Sequence, residues 1–417
     1  MSTSMTLDDV YLDNEAFAER VPHETFALLR HESPVHWYDW EHGKGFWCIT
    51  RYDDIVTVLK DWRTFSSETG ATALEDLDPD QIEARKSMLD TDPPEHSSLR
   101  AIVNKGFTPR AVAAYEDLLR QLTQQILDDA LPKGEFDFVE EVAKQLPIQV
   151  LCRILGVPIS DDGQLIDWGD KMIGNTDPEL GGLHPASPES AKYRLYPFRS
   201  PAAMEVFRYG HAIAAERREE PRDDLVSKLV TWEDEDGRRL TEREFDTMFL
   251  LLVVAGNETT RQSIAHGMLA LMEHPEAMSQ LRDDPAVMGT AVDEIMRWAS
   301  PVLHFRRTAT CDTELGGVRI SEGDKVVTWL ISGNFDERQF ADPYTFEITR
   351  KPNNHLTFGR GGPHFCLGAH LAKLETRVMF EELLPRVESI EPTGPARRME
   401  SNFTNAYKAM PVRARPA

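Results

Sequence analysis

From Thr241 to Met272 the chain reads as one long helix ending near His274-Pro275, and no other stretch limits the fold as much. Its apolar run, Met248 to Ala255, has eight residues, far short of the roughly 20 that cross a bilayer. Such a helix is expected to lie buried in a protein core. Directly after the run stand Gly256, Asn257, Glu258, Thr259 and Thr260. A glycine and four polar residues in a buried helix cost stability. Threonine hydroxyls bond back to the preceding turn, so the expectation is a local opening and a groove at this point. The plain alternative is an amphipathic helix that shows its polar face for one turn.

Helical patterning also covers Arg110 to Leu155 and Leu367 to Leu384, and Tyr52 to Asp61 fits a short amphipathic helix. Strands fit Gly45 to Thr50 and parts of Val318 to Ile331, whereas Phe335 to Gly362 is largely irregular. The fold class expected is therefore mainly α with a small β region. No stretch reads as an interdomain linker, so residues 1–417 are taken as one domain, although a length of 417 admits two or three. Two proline-containing stretches, Ser66 to His96 and Thr176 to Ala202, are too long for plain connectors. Loops of that length are usually functional or mobile.

Apolar residues make up 41% and charged residues 28%, a balance that supports a sizeable core without disulfides. None of the four cysteines, Cys48, Cys152, Cys311 and Cys366, is close enough to another for a CxxC-type metal clip. The polar start, Met1 to Asp13, lacks an apolar secretory core, so a reduced, cytoplasmic protein is expected. With 46 basic and 70 acidic residues the formal charge is −24. That charge disfavours nucleic acid and anionic membranes as partners, because both are polyanions.

The segment that carries most chemistry is Phe358-Gly359-Arg360-Gly361-Gly362-Pro363-His364-Phe365-Cys366-Leu367-Gly368. It is a glycine-rich loop that presents one cysteine and then enters a helix. A thiolate at a helix N-terminus is favoured by the dipole and by free backbone N–H groups. Glycines let the backbone lie flat against a large planar ligand, and a proximal thiolate on haem iron favours O–O cleavage. A buried structural cysteine after a glycine turn is the plain alternative, but it leaves His364 and the phased glycines without a reason. Given such a site, the groove at Ala255–Thr260 is where O2 would bind, with Thr259 donating a proton and Glu258 linked to solvent.

Two further sets complete the pattern. Glu294 and Arg297, three apart on a helix, meet on one face, either as a solvated surface pair or as a buried pair supporting the cysteine loop. His96 and Arg100, four apart after Pro93-Pro94, with Arg307 and His364, are cations of the kind two propionates need, and arginine suits carboxylates through its planar fork.

Together these segments resemble the cytochrome P450 family, specifically its soluble bacterial members, over nearly the whole chain. The resemblance implies the family's single triangular, mostly helical domain with a small β region, and haem b as cofactor. It implies Cys366 as the iron ligand and Thr259 with Glu258 as the oxygen-activating pair. Glu294 and Arg297 match the structural pair, and His96, Arg100, Arg307 and His364 match positions that bind propionates. Ala255, Gly256 and Phe358 fall in the same two motifs and are expected against the cofactor. Two departures stand out. The loop from Phe358 to Cys366 is one residue longer than the commonest pattern, and Thr345-Phe346 stands where the family often has arginine before phenylalanine, which leaves Arg350 as a stand-in. Both departures are similar to a branch that oxidises sterol side chains and methyl-branched lipids.

The expected function is hydroxylation of an unactivated C–H bond in an apolar terpenoid, steroid or branched lipid, using O2. No flavin or Fe–S motif is visible, so ferredoxin and ferredoxin reductase are the expected electron donors. Alternatives are a peroxide-driven haem enzyme and a non-catalytic haem sensor. An acidic ferredoxin would dock on basic residues near the loop, for which Lys105, Arg110, Arg360 and Lys373 are candidates. The pocket near the iron is expected to be dry and apolar, lined from Leu251 to Ala255, from Pro301 to His304, and by Met88 and Leu89. Thr176 to Ala202 is the expected mobile lid, and His304 is expected to pack rather than to anchor substrate.

Overall fold

A computed structural model describes residues 5–72 and 74–417. Met1–Ser4 of the polar start and Ala73 in the Ser66–His96 stretch lie outside them. Six helices and five strands position the site. They are α1 (Tyr52–Lys60), α2 (Glu95–Asn104), α3 (Pro201–Glu219), α4 (Glu242–Glu273), α5 (Met288–Ala299) and α6 (Ala369–Leu383). The strands are β1 (Val35–Tyr38), β2 (Phe46–Ile49), β3 (Phe65–Ser66), β4 (His304–Ala309) and β5 (Lys325–Trp329).

Helix α4 is the long helix read from the sequence. Thr241 caps it: its hydroxyl accepts from the Glu244 N–H, and the Glu244 carboxylate accepts from the Thr241 N–H at 2.8 Å. The helix stops at His274, where Pro275 cannot continue it. At 32 residues it is about 48 Å long, and Phe245, Met248, Phe249, Leu252, Val253 and Ile264 along it are all buried. Helices α3, α5 and α6 pack against it.

The strands form one sheet in the order β1-β2-β5-β4-β3, with β2 and β5 parallel and the remaining pairs antiparallel. A second sheet joins Glu135–Asp137, Pro411–Pro416 and Val387–Pro392. The first of these interrupts the helical patterning of Arg110 to Leu155. Gly134, at φ 71°, turns the chain out of its helix there. The Ser66–His96 stretch is not plain loop either: Asp78 caps a helix over Pro79–Arg85, accepting from the Gln81 N–H at 2.9 Å. Among the described residues no helix is long and apolar enough to cross a membrane.

Glu294 and Arg297 of α5 are fully buried, so the surface-pair alternative is excluded. Arg297 donates through Nη2 to Glu294 Oε1 at 2.7 Å and through Nε to Oε2 at 2.8 Å. Arg350 takes the third place: its Nε lies 3.2 Å from both carboxylate oxygens. Both guanidinium groups also donate to the Thr345 carbonyl, at 3.4 and 2.9 Å. Arg297 further donates to the carbonyls of Asn334 and Pro343 at 2.8 and 2.9 Å. The cluster thus pins the irregular segment that leads into the cysteine loop.

Candidate active site

The cysteine loop lies against the end of α1. Gly359 and Gly361 adopt φ of 70° and 91°, which side chains rarely take. A side chain on Gly362 would collide with the Leu59 carbonyl. These contacts fix the loop so that the Cys366 N–H donates to the Phe358 carbonyl at 2.9 Å. The Cys366 side chain opens onto an internal cavity of about 220 Å³. Helix α6 begins at Ala369 rather than Leu367, and the turn between leaves the N–H groups of Gly368 and Ala369 aimed at the sulfur. Burial raises the thiol pKa, while those N–H groups and the nearby Arg100 pull it back down.

Ala255, Gly256 and Thr259 line the same cavity, as does Phe358. Ala255 is exposed to it in mid-helix. The Thr259 hydroxyl donates to the Ala255 carbonyl at 3.0 Å, yet α4 continues unbroken through this turn, so the expected opening of the helix is absent. Glu258 is buried and points elsewhere, into a network of side chains. Gln262 Nε2 donates to its Oε1 at 2.8 Å, and Arg261 pairs with its other oxygen. Arg261 also holds Asp170 at 2.7 Å, Lys144 lies 3.4 Å from Asp170, and Lys144 meets the half-exposed Glu140 at 2.5 Å. From Glu258 a run of ion pairs through Arg261, Asp170 and Lys144 thus leads to the half-exposed Glu140.

His96 on α2, Arg307 on β4 and His364 on the loop meet at the cavity's other side, with Arg100 beside them. The His96 and His364 rings lie 4.2 Å apart. Neither His96 nitrogen, nor His364 Nδ1, has a hydrogen-bond partner among the described residues. His364 Nε2 is 3.2 Å from Ser67 Oγ. Arg307 is buried, donates to the Arg306 carbonyl at 2.7 Å, and forms no ion pair among the described residues. Its burial pushes its pKa down to about 10, and burial pushes His96 down to about 4. Arg100 Nη2 donates to the Phe365 carbonyl at 2.6 Å. Buried donors without acceptors are costly unless a ligand supplies the acceptors. This donor set, with a sulfur opening on the same cavity, fits a flat ligand that carries carboxylates and a thiolate-seeking metal, as haem does.

A second cavity, of about 520 Å³, shares Leu89 and Leu251 with the first. Leu250 and Val254 extend its apolar part, while Met88, Pro301 and Val302 line the first cavity. The cavity at Cys366 has mostly apolar walls, whereas Glu68, Glu75, Asp76, Arg85 and Arg199 also form walls of the larger one. Residues of 176–202 close another wall. There Phe198 and Arg199 hold φ of 58° and 48°, a strained conformation for residues with side chains. The segment is tied down by Arg199–Glu75 at 2.9 Å, Arg194–Asp78 at 2.9 Å and Thr176 Oγ1 to the Glu400 carbonyl at 2.6 Å. His304 packs edge-on against Trp329 and Phe403, and burial drives its pKa down to about 3, which keeps it neutral.

Glu375 on α6 also lines the first cavity, and burial pushes it up to about 8. Sequence reading missed it because a lone glutamate in an amphipathic helix looks like a solvated face. Of the four cations proposed near the loop, Lys105, Arg110 and Arg360 are exposed, whereas Lys373 is engaged with Asp293 at 2.6 Å.

Comparison with known proteins agrees with this geometry. The cytochrome P450 family description matches residues 16–408. A steroid C26-monooxygenase of Mycolicibacterium smegmatis is 38% identical, over 95% of this chain and 92% of its own length. A methyl-branched lipid omega-hydroxylase of Mycobacterium bovis is 39% identical, over 96% and 93%. The structure of a Mycobacterium marinum cytochrome P450 in complex with pseudoionone superimposes with a TM-score of 0.88 at 38% identity, covering 99% of this chain and 100% of the other. With a family match over nearly its whole length, and a cysteine opening on a cavity lined by Arg100 and Arg307, which form no ion pair among the described residues, the chain belongs to the cytochrome P450 family and is a haem-thiolate monooxygenase.

Proposed function

We propose that this monooxygenase hydroxylates an unactivated C–H bond, at a terminal methyl, of a steroid, terpenoid or methyl-branched lipid. The observation that carries the reading is the cavity on which the Cys366 sulfur opens, with aliphatic walls from Leu251 and Leu252 on α4, and the larger cavity adjoining it at Leu89 and Leu251. The names of the steroid and branched-lipid relatives support it. Haem b would be held by Cys366 at iron and by His96, Arg100, Arg307 and His364 at the propionates, with Ala255, Gly256 and Phe358 against the ring. Bound there, it supplies the redox-active iron that activates O2.

The protein's own part is to shape, dry and protonate the site. Leu251, Leu252 and Ala255 offer a substrate dispersion contacts and no polar anchor. The Thr259 hydroxyl holds a proton at Oγ1 at the cavity wall, parked on the Ala255 carbonyl until oxygen binds. Glu258 resupplies it after turning from Arg261 and taking up a proton from solvent, while the Arg261 guanidinium can remain on Asp170. Residues 176–202 act as the lid that excludes water. Their ties to Glu75, Asp78 and Glu400 are the contacts a lid would break on opening.

Titrating the ferric enzyme with steroids, terpenoids and branched fatty acids should shift the haem to high spin. A shift produced by small charged aromatics instead would contradict the reading. Thr259→Ala should still bind substrate and consume reductant but divert much of it to peroxide. General-acid contributions are typically about 10²–10⁴-fold, so a fully coupled variant would remove Thr259 from this role.

Electrons would come from an acidic ferredoxin, itself reduced by ferredoxin reductase. It would dock around the exposed Phe365, whose carbonyl accepts from Arg100 of α2, using the exposed Arg360 of the same loop and Lys105 and Arg110 just after α2. On a chain of formal charge −24, these cations are a local exception. Screening shortens from about 10 Å at 0.1 M salt to about 3 Å at 1 M, so ferredoxin-dependent reduction should slow across that range. Salt-independent kinetics would exclude electrostatic docking.

A further inference from the structure

Away from the cavities, helices α3 and α4 meet at a cluster of ligand-type side chains. Gly210 permits the approach, since a side chain there would stand 3.0 Å from Phe249 Cδ1 on α4. Its neighbour His211 thereby reaches Glu242 and Asp246, which are four apart and share one face of α4. His211 Nε2 lies 2.6 Å from Asp246 Oδ1 and 3.6 Å from Glu242 Oε1. The three atoms all lie within 4.8 Å of one another.

Two features separate this cluster from an ordinary ion pair. Asp246 is only 8% exposed, yet its Oδ1 has no hydrogen-bond partner among the described residues. His211 Nε2 is likewise without one, although the two atoms are close enough. They converge without the angles a shared proton requires, and a buried carboxylate oxygen left that way is costly. One cation between them satisfies both atoms at once.

We propose that His211, Asp246 and Glu242 form a divalent-cation site of the zinc type that staples α3 to α4. One imidazole nitrogen and two carboxylate oxygens are a zinc donor set, with water as fourth ligand. Ligand atoms on a tetrahedral zinc stand about 3.3 Å apart, between the two distances found here. Glu242 is largely exposed and can swing to meet the ion. Calcium, which takes about 6–8 oxygens, is poorly served by this set. The site has a structural consequence. Helix α3 follows residues 176–202 directly, and Thr247 and Leu250, beside Asp246, line the large cavity. A cation here fixes the C-terminal anchor of that segment to the cavity wall.

Calorimetric titration of the haem-loaded protein with zinc chloride is the test. The parent should show a site that His211→Ala and Asp246→Asn each weaken roughly tenfold or more. Its thermal midpoint should rise with zinc, as for any ligand that binds only the folded state, and this rise should vanish in both variants. The reduced CO spectrum of each variant verifies that it is folded and loaded. Unweakened zinc binding in both variants, or a parent whose midpoint ignores zinc, would overturn the site.

Discussion

Replacing Cys366 by serine is expected to abolish the thiolate-type spectrum of the reduced CO complex, while changes at Cys48, Cys152 or Cys311 leave it intact. Only Cys366, of the four, opens on the cavity rimmed by His96, Arg307 and His364. Cys48 and Cys152 are buried elsewhere, and burial holds each thiol up to about 12, far from a thiolate. Cys311 is exposed and away from the cavity. A serine hydroxyl keeps the size but not the electron donation of sulfur, so the loss should be complete rather than partial. Far-UV circular dichroism checks that the variant is folded. A thiolate-type spectrum that survived the exchange would remove Cys366 as the ligand.

The largest stability effect is expected at Glu294. Glu294→Gln leaves the buried Arg297 with no carboxylate partner among the described residues, and Arg350 with only the half-exposed Glu347, 3.7 Å away. Breaking a buried pair by removing one partner costs about 3–5 kcal/mol, a large part of the roughly 5–15 kcal/mol that holds a typical protein folded. The damage should reach the haem site, because Arg297 and Arg350 between them hold the carbonyls of Asn334, Ala341, Pro343 and Thr345 ahead of the cysteine loop. Denaturant titration should show the drop, together with poor haem loading. Arg350→Ala should fall in the same direction, and a variant as stable as the parent would show that Arg350 is no member of the cluster.

That arginine shows where sequence reading reached its limit. Local signals were legible: the reading from Thr241 to Met272, ending near His274-Pro275, bounded α4 to within a residue, and the phased glycines marked the cysteine loop. Arg350 was legible only as a candidate, since no spacing rule says that a turn after Phe346, closed by the Arg350 N–H on the Glu347 carbonyl at 3.0 Å, returns it to Glu294. Glu258 was legible as a residue linked to solvent, but not the direction in which it points. Neighbours on a helix point about 100° apart. Glu258 therefore faces Arg261, and Thr259 faces the cavity. The polar walls of the large cavity come from residues as far apart as Glu68 and Arg199, and only the tertiary fold assembles them.

The most direct test of the account is product analysis under ¹⁸O₂. The enzyme, reduced ferredoxin, and a steroid with an intact side chain or a methyl-branched fatty acid should yield an alcohol carrying one labelled oxygen on a terminal methyl carbon. An unlabelled product, or turnover that needs only peroxide, would contradict the account.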